Sequence, residues 1–262
     1  MRKTVLPKAF LIAETNVDDS GLSAALAHIG VPNWASDGGS DAERLTEFAG
    51  KLCYMSFDTK LNANLTKVGG RSTEKYIQEG IIAHKHGSVL EHSTVTFLLT
   101  DVSRVVTHEL VRHRAGTAFS QTSGRYVRTE EVNLYVPRDI AENPKAVAIF
   151  QRAQKQMEEN AKELAEVTEI EGKPFPWKKR LTSAFRRVLG EGHTSNIVVT
   201  ANHRAWRHMI EMRTDRGAEE EIRYIFADIS KQLRGRYGSL YSDAEVTMDD
   251  WIETTKFPSS KV

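Results

Sequence analysis

Residues 94–126 open with Thr94-Val95-Thr96-Phe97-Leu98-Leu99 and pass through Ser103 into Val105-Val106-Thr107-His108-Glu109-Leu110-Val111. They end on Arg112-His113-Arg114-Ala115-Gly116-Thr117-Ala118-Phe119-Ser120-Gln121-Thr122-Ser123-Gly124-Arg125-Tyr126. The first six residues are β-branched, aromatic or aliphatic, which predicts a strand. Ser103 offers a helix cap, and Val105, Val106, Leu110 and Val111 fall roughly at helical spacing. The predicted helix ends at the Arg-His-Arg triplet. An Arg or His at a helix end commonly meets the last carbonyls and the dipole. Three in a row, followed by Ser-x-x-Ser-Gly-Arg, exceed what a cap requires. Arginine presents a planar fork of donors to phosphate or carboxylate oxygens. Ser, Gly and free backbone amides cradle anions. The stretch therefore reads as strand, helix and phosphate-binding turn.

Working outward, residues 9–13 read as a buried strand, and Ser40-Asp41-Ala42-Glu43 is a capping box opening a helix through about Met55. A second helix starts at Ser72 or Thr73 and runs toward His84. Val132, Leu134 and Val136 alternate, predicting a strand over 126–136. Pro144 opens a long helix, 144–171, with Phe150, Ala153, Met157, Ala161 and Leu164 on one face for core or subunit packing. Trp177 to Leu189 reads as another helix, 196–200 as a short strand, and 203–213 and 218–235 as helices. The expected class is α+β: a single domain over 1–262, with a mixed central sheet flanked by long helices.

Composition narrows the function. The 36 Lys+Arg are balanced by 35 Asp+Glu, so a phosphate site must be a local cluster and no nucleic-acid partner is expected. Cys53 is the only cysteine, which excludes disulfide frameworks and Cys-based zinc sites within one chain. It sits on a predicted helix with Lys51 facing elsewhere, so it reads as a small buried hydrophobe rather than a nucleophile. No apolar stretch approaches membrane-spanning length, and the basic start lacks a signal-length apolar run. The expectation is a cytoplasmic protein with no membrane partner. His84, His86, Glu91 and His92 invite a metal reading, but their spacing matches no well-defined zinc motif, and no metal is expected.

The stretch 112–126 resembles the signature of the flavin-dependent thymidylate synthases: Arg-His-Arg, seven residues, then Ser. Here eight residues, 115–122, separate Arg114 from Ser123, which reads as a one-residue insertion just after the helix end. A second landmark, His86-Gly87-Ser88-Val89-Leu90-Glu91-His92, is similar to the family's Gly-His-x-Ser/Thr-x-x-Glu-His, with Lys85 in place of the glycine. The third is Asn202 through Arg213, similar to the family's Asn-x-Arg helix. The resemblance is strongest over 45–225.

The resemblance implies FAD as cofactor, with His86, Ser88, Arg112, His113, Arg114, Gln121, Asn202 and His208 as its contacts. It implies dUMP as substrate, bound by Glu109, Arg112, Gln121, Ser123, Gly124, Arg125, Arg186 and Arg213. Glu109 could equally form an i,i+3 ion pair with Arg112. Arg213 is implied as the group that polarises the uracil carbonyl. The resemblance further implies 5,10-methylenetetrahydrofolate as carbon donor, NADPH as reductant and a homotetramer. Glu91 and His92 are expected as a buried polar pair, and Arg204 and Arg207 as surface salt bridges, Arg207 above all. The alternative is a non-catalytic arginine-rich nucleotide- or RNA-binding protein.

Overall fold

The computed structural model describes residues 6–57, 71–127 and 133–259. Its elements, in chain order, are β1 (Lys8–Glu14), α1 (Asp19–His28), α2 (Asp41–Tyr54), α3 (Thr73–Tyr76), β2 (Thr94–Ser103), α4 (Arg104–Leu110), β3 (Thr117–Gln121), α5 (Arg138–Ala141), α6 (Pro144–Val167), α7 (Phe175–Phe185), β4 (Thr194–Asn202), α8 (His203–Thr214), α9 (Glu220–Arg236), β5 (Glu245–Asp249) and β6 (Ile252–Lys256). The α+β expectation holds. The sheet, expected to be mixed, is antiparallel in every pairing, in the order β1-β2-β4-β3. Its parallel alternative would need crossover connections returning each strand in the same direction.

One sheet face is sealed by α8 and α9. Val95, Phe97 and Leu99 of β2 and Ile197, Val199 and Ala201 of β4 alternate inward. They meet Trp206, Met209 and Ile210 of α8 and Ile222, Ile225, Phe226 and Ile229 of α9. Trp206 packs edge-on against Phe97 and donates its indole N–H to Val95 O at 3.1 Å, so the largest core side chain has no orphan donor. The β5–β6 hairpin closes the far side of α8 and α9, with Thr255 N bound to Thr214 Oγ1.

Several local expectations are corrected. β1 is an edge strand, not a buried one: only Ala9 is buried, while Phe10 and Ile12 are about half exposed. Over 133–136 there is no strand, only a bridge between Leu134 and His193; Val132 lies outside the described residues. Instead the segment after α4, expected as a phosphate-binding turn, contains β3, whose alternation of small and polar residues hid its pairing with β4. Helix α6 ends at Val167; of its expected apolar face Phe150 and Ala153 are exposed and Met157, Ala161 and Leu164 half-buried, while Gln154 and Glu158 are the buried positions. The helix begun at Thr73 turns into a π-helical segment over Ile77–Ile82. Cys53 is exposed.

Two backbone features aim the chain at its candidate site. In β2 the register against β4 shifts between Leu99 and Val102, with Asp101 left-handed at φ 56°. That bulge rotates the strand end so that Ser103 arrives as the cap of α4, accepting from Val106 N. At the other end of α4, Gly116 is left-handed at φ 68° and its carbonyl takes Asn202 N at 3.1 Å. This turn falls where the extra residue of the signature was expected. Similarly, Lys85, which replaces a family glycine, has φ 60°, so the position requires the same backbone form whatever its side chain.

A Cβ on Gly116 would lie 2.5 Å from Asn202 Nδ2, in a conformation that L side chains rarely adopt. Gly116→Ala is therefore expected to cost about 1–3 kcal/mol, read as a lowered denaturation midpoint. Lys85→Gly is expected to move the midpoint upward, because its strain is relieved.

Candidate functional site

Helix α4 runs between two groups of polar side chains. At its C-terminal end, Arg213 reaches back from the last turn of α8. Its Nη1 donates to Glu109 Oε2 at 2.6 Å, its Nη2 to Glu109 O at 3.1 Å, and its Nε to His113 Nε2 at 2.8 Å. Glu109 thus pairs with Arg213 rather than with Arg112. Burial, then the charges of Arg213 and His208, push the His113 pKa down to about 4. The ring is neutral at pH 7, and because Nε2 accepts, its proton sits on Nδ1. His208 stands edge-on to His113 with 5.7 Å between ring centres. Thr117 Oγ1 donates to His113 O at 2.6 Å, fixing the turn that follows.

Asn202 caps α8, its Oδ1 accepting from Ala205 N at 2.8 Å, and its Nδ2 faces Gly116. Arg112 and Arg114 flank His113 as exposed cations with no acidic partner among the described residues. The tight Gly116–Asn202 approach and two free guanidinium groups beside a neutral imidazole suit an anionic ligand with a hydrogen-bonding ring system, and so fit a flavin diphosphate.

At the N-terminal end of α4, Arg104 enters a polar cleft of about 700 Å³ lined also by Gly124, Arg186, His193 and Ser195. Arg104 Nη1 donates to Gln121 Oε1 at 3.0 Å, and Gln121 Nε2 donates to Ser195 Oγ at 2.8 Å. His193 gives its Nδ1 proton to Gly190 O at 2.7 Å, leaving Nε2 to accept from Arg104 Nε at 3.4 Å. A Cβ on Gly124 would sit 3.8 Å from both Arg104 Nη2 and Arg186 Cδ, so the glycine lies between the two arginines. Burial and the neighbouring Arg186 hold the Arg104 pKa below its ordinary value. Arg187, Asp101 and Glu191 also line the cleft, but Asp101 accepts from Asn133 and Glu191 faces His108, and no carboxylate pairs with Arg104 or Arg186 among the described residues. Ser123 Oγ accepts from Arg125 N at 3.4 Å, and Arg125 itself is exposed beside Tyr126. Arg104 is a site residue that the sequence reading missed; its place directly after the cap Ser103 was the available signal.

A third group lies on the segment before β2. His86 is exposed, 6.5 Å from Tyr54 and stacked on His84 at 5.9 Å between ring centres; Ser88 is exposed on the next turn. Glu91 and His92 are exposed rather than a buried pair, because the turn over Gly87–Glu91 directs Val89 and Leu90 inward instead. Glu91 pairs with Arg204 at 2.5 Å. Arg207, expected at the surface, is buried. It forks onto Asp243 at 2.7 and 2.8 Å and lies 4.2 Å from the Phe257 ring centre, so its role is structural. Among the described residues no three His, Cys, Asp or Glu side chains gather in a way that could hold a metal ion.

A chain of 262 residues thus carries a donor-rich Arg213–Glu109–His113 cluster and an arginine-lined cleft. Comparison with known proteins accords with this arrangement. The family model for thymidylate synthase complementing protein matches residues 37–237. Flavin-dependent thymidylate synthases of Corynebacterium aurimucosum and Mycobacterium tuberculosis are 35% and 34% identical, covering 94% and 98% of this chain and 98% of each relative. The fold is shared with a UMP/dUMP methylase, PolB, from Streptomyces cacaoi, solved with 5-Br dUMP (TM-score 0.63, 19% identity, 90% of this chain and 93% of that one). It is shared too with thymidylate synthase X from Helicobacter pylori, solved with FAD and dUMP (TM-score 0.60, 17% identity, 91% of this chain and 98% of that one). On the family match and the near full-length identity together, the chain belongs to the flavin-dependent thymidylate synthase family.

Proposed function

We propose that this chain is a cytoplasmic enzyme, a single domain over 1–262, that converts dUMP to dTMP. The carbon comes from 5,10-methylenetetrahydrofolate and the reducing equivalents from NADPH. Bound FAD, once reduced, supplies the hydride. The observation that carries this reading is the pairing of a fixed guanidinium cluster with a separate cleft in which neither Arg104 nor Arg186 is paired with a carboxylate among the described residues. One suits a base carbonyl and the other a phosphate.

Arg104, Arg186, Gly124 and the amides near Ser123 hold the dUMP phosphate. Arg125 stands at the mouth of the same cleft. Gln121, pinned between Arg104 and Ser195, orients the nucleotide. Arg213 faces the uracil carbonyl and stabilises negative charge as it develops there; its orientation is set in advance by Glu109 and His113. Arg112, His113 and Arg114 hold FAD together with Asn202 and His208, and His86 and Ser88 meet the flavin and folate.

α4 has seven residues, so the two groups stand about 10 Å apart along its axis. His86 and Ser88 lie on a further segment, whose turn packs against the start of α8 through Glu91 and Arg204. We assign the complete site to a homotetramer in which different copies contribute the separate groups. The exposed Ile149 and Phe150 of α6 and the exposed Phe10 and Ile12 of β1 supply apolar surface for that packing. No helix among the described residues is long and apolar enough to cross a membrane.

The purified protein is expected to show a flavin absorbance spectrum, or to acquire one on titration with FAD. A protein that stays colourless with added FAD while binding RNA in a steeply salt-dependent way would favour the non-catalytic alternative.

Arg104→Met is expected to weaken dUMP by roughly ten- to a hundredfold, the scale of a lost charged hydrogen bond, with FAD content unchanged. Loss of FAD at unchanged dUMP affinity would assign Arg104 to the cofactor instead.

Arg213→Lys is expected to lower turnover roughly a hundred- to a thousandfold, because an ammonium cannot replace a fork aimed at a developing oxyanion. Single-turnover methylation with NADPH-driven flavin reduction as control separates this from a loss of cofactor. Near-normal methylation would remove Arg213 from the base-polarising role.

A further inference from the structure

The cleft arginine Arg104 has no fixed anchor of its own beyond Gln121 and His193. Its backbone, however, is held from behind. Ser103, the residue before it, is almost completely buried, and so is Glu221 in the first turn of α9. Glu221 Oε1 accepts from Ser103 N at 2.8 Å, and Oε2 accepts from Ser103 Oγ. The same Ser103 Oγ accepts from Val106 N, which starts α4. Arg104 N in turn is shared between Glu191 O at 2.9 Å and His193 O at 3.3 Å. One buried carboxylate therefore fixes the junction from which both the Arg104 side chain and the whole of α4 depart.

We infer that Glu221 is a positioning residue for the phosphate half of the site, acting through Ser103 on Arg104 and α4. This inference rests on the reading of the cleft as an anion site.

The local charges make the grip adjustable. Burial raises the Glu221 carboxyl to a pKa of about 7, against the lowering effect of its two bonds from Ser103; Glu219 adds a smaller upward push. Arg104 directly follows the Ser103 that Glu221 grips, and the two residues preceding Glu221, Glu219 and Glu220, are acidic. Glu220 is its neighbour on α9, and the Tyr135 phenol, from the segment before α5, donates to Glu220 at 2.6 Å. No Lys or Arg pairs with Glu221 among the described residues. Above neutrality the carboxylate makes charge-assisted bonds to Ser103, which are stronger than those of the neutral acid. Below it the grip slackens.

The sign follows from that ordering. Glu221→Gln keeps the shape and both bonding positions, Oε1 accepting from Ser103 N and Nε2 donating to Ser103 Oγ, but cannot ionise. The experiment uses the full-length FAD-loaded protein and measures the affinity for dUMP, and separately for sulfate, between about pH 5.5 and 8.5, a range bracketing the raised carboxyl. Taking the ratio of wild type to E221Q at each pH cancels the titration of the nucleotide's own phosphate. Sulfate keeps its charge throughout.

The ratio is expected to be near one at the acid end and to rise to roughly threefold at the alkaline end, as charge-assisted bonds replace neutral ones. FAD content should stay unchanged. Ser103→Ala should weaken both anions with no such bend.

A sulfate ratio that is flat across the range overturns the positioning role, whether or not dUMP binds. A sulfate ratio that bends while neither protein binds dUMP upholds the positioning role and removes the nucleotide reading instead. Should E221Q lose FAD or fold poorly, S103A decides: sulfate affinity equal to wild type overturns the inference, and weakened affinity supports it.

Discussion

Arg213 is gripped on three sides, by the Glu109 carboxylate, the Glu109 carbonyl and the His113 ring, and this grip ties α8 to the end of α4. A guanidinium left free on a surface would sample many rotamers and lose entropy on each encounter with a ligand. Here that cost is met in the folded chain, and the remaining N–H groups are aimed before anything binds. The carbonyl of Glu109 is one of the orphan acceptors that every helix end leaves, so the same contact also caps α4. At the opposite end Glu221 and Ser103 do the complementary task for the orphan donors. A seven-residue helix is too short to be stable alone. Clamped at both ends, it becomes a rigid strut carrying polar groups at each terminus.

The elements carrying the core were legible because burial imposes a period. β2, α2, α8 and α9 each present inward residues at the spacing of their geometry, and the caps Ser40, Ser103 and Asn202 all sit where their residue types suggest. What escaped was structure set by partners far away in sequence. β3 has no apolar alternation of its own and becomes a strand only because Gly116 and Asn202 close its register on β4. Conversely, Leu134 and Val136 alternate convincingly yet have no neighbouring strand to join beyond one bridge. Arg207 looked like a surface residue because Asp243, which neutralises it, is 36 residues away.

The site shows the same division. Arg213 and Glu109 were named individually from the resemblance, but their mutual pairing was not, since 104 residues separate them. Arg104 belongs to none of the three landmarks, and its place after the cap Ser103 does not by itself show a ligand. Its importance comes from the cleft that Gln121, Gly124 and Arg186 build around it, with Gly124 lying between the two arginines. Sequence spacing states which residue types are present on one element. It does not state which elements converge.

The arginines of this near-neutral chain fall into two populations with opposite energetic roles. Arg207, Arg223 and Arg234 are matched to Asp243, Asp249 and Glu253. Burying a cation is costly unless a partner is supplied, and these pairs sit where the fold needs the long side chains packed. Arg104, Arg112, Arg114, Arg125 and Arg186 have no acidic partner among the described residues. Burial, and then the charge of Arg186 across Gly124, hold the Arg104 pKa below its ordinary value. Such a cleft is a local strain on the unliganded protein. An anion that enters relieves it, and by linkage the protein is stabilised in proportion to the logarithm of ligand over dissociation constant. The overall balance of 36 cations against 35 anions keeps this field local, so anions are drawn to the cleft rather than to the whole surface.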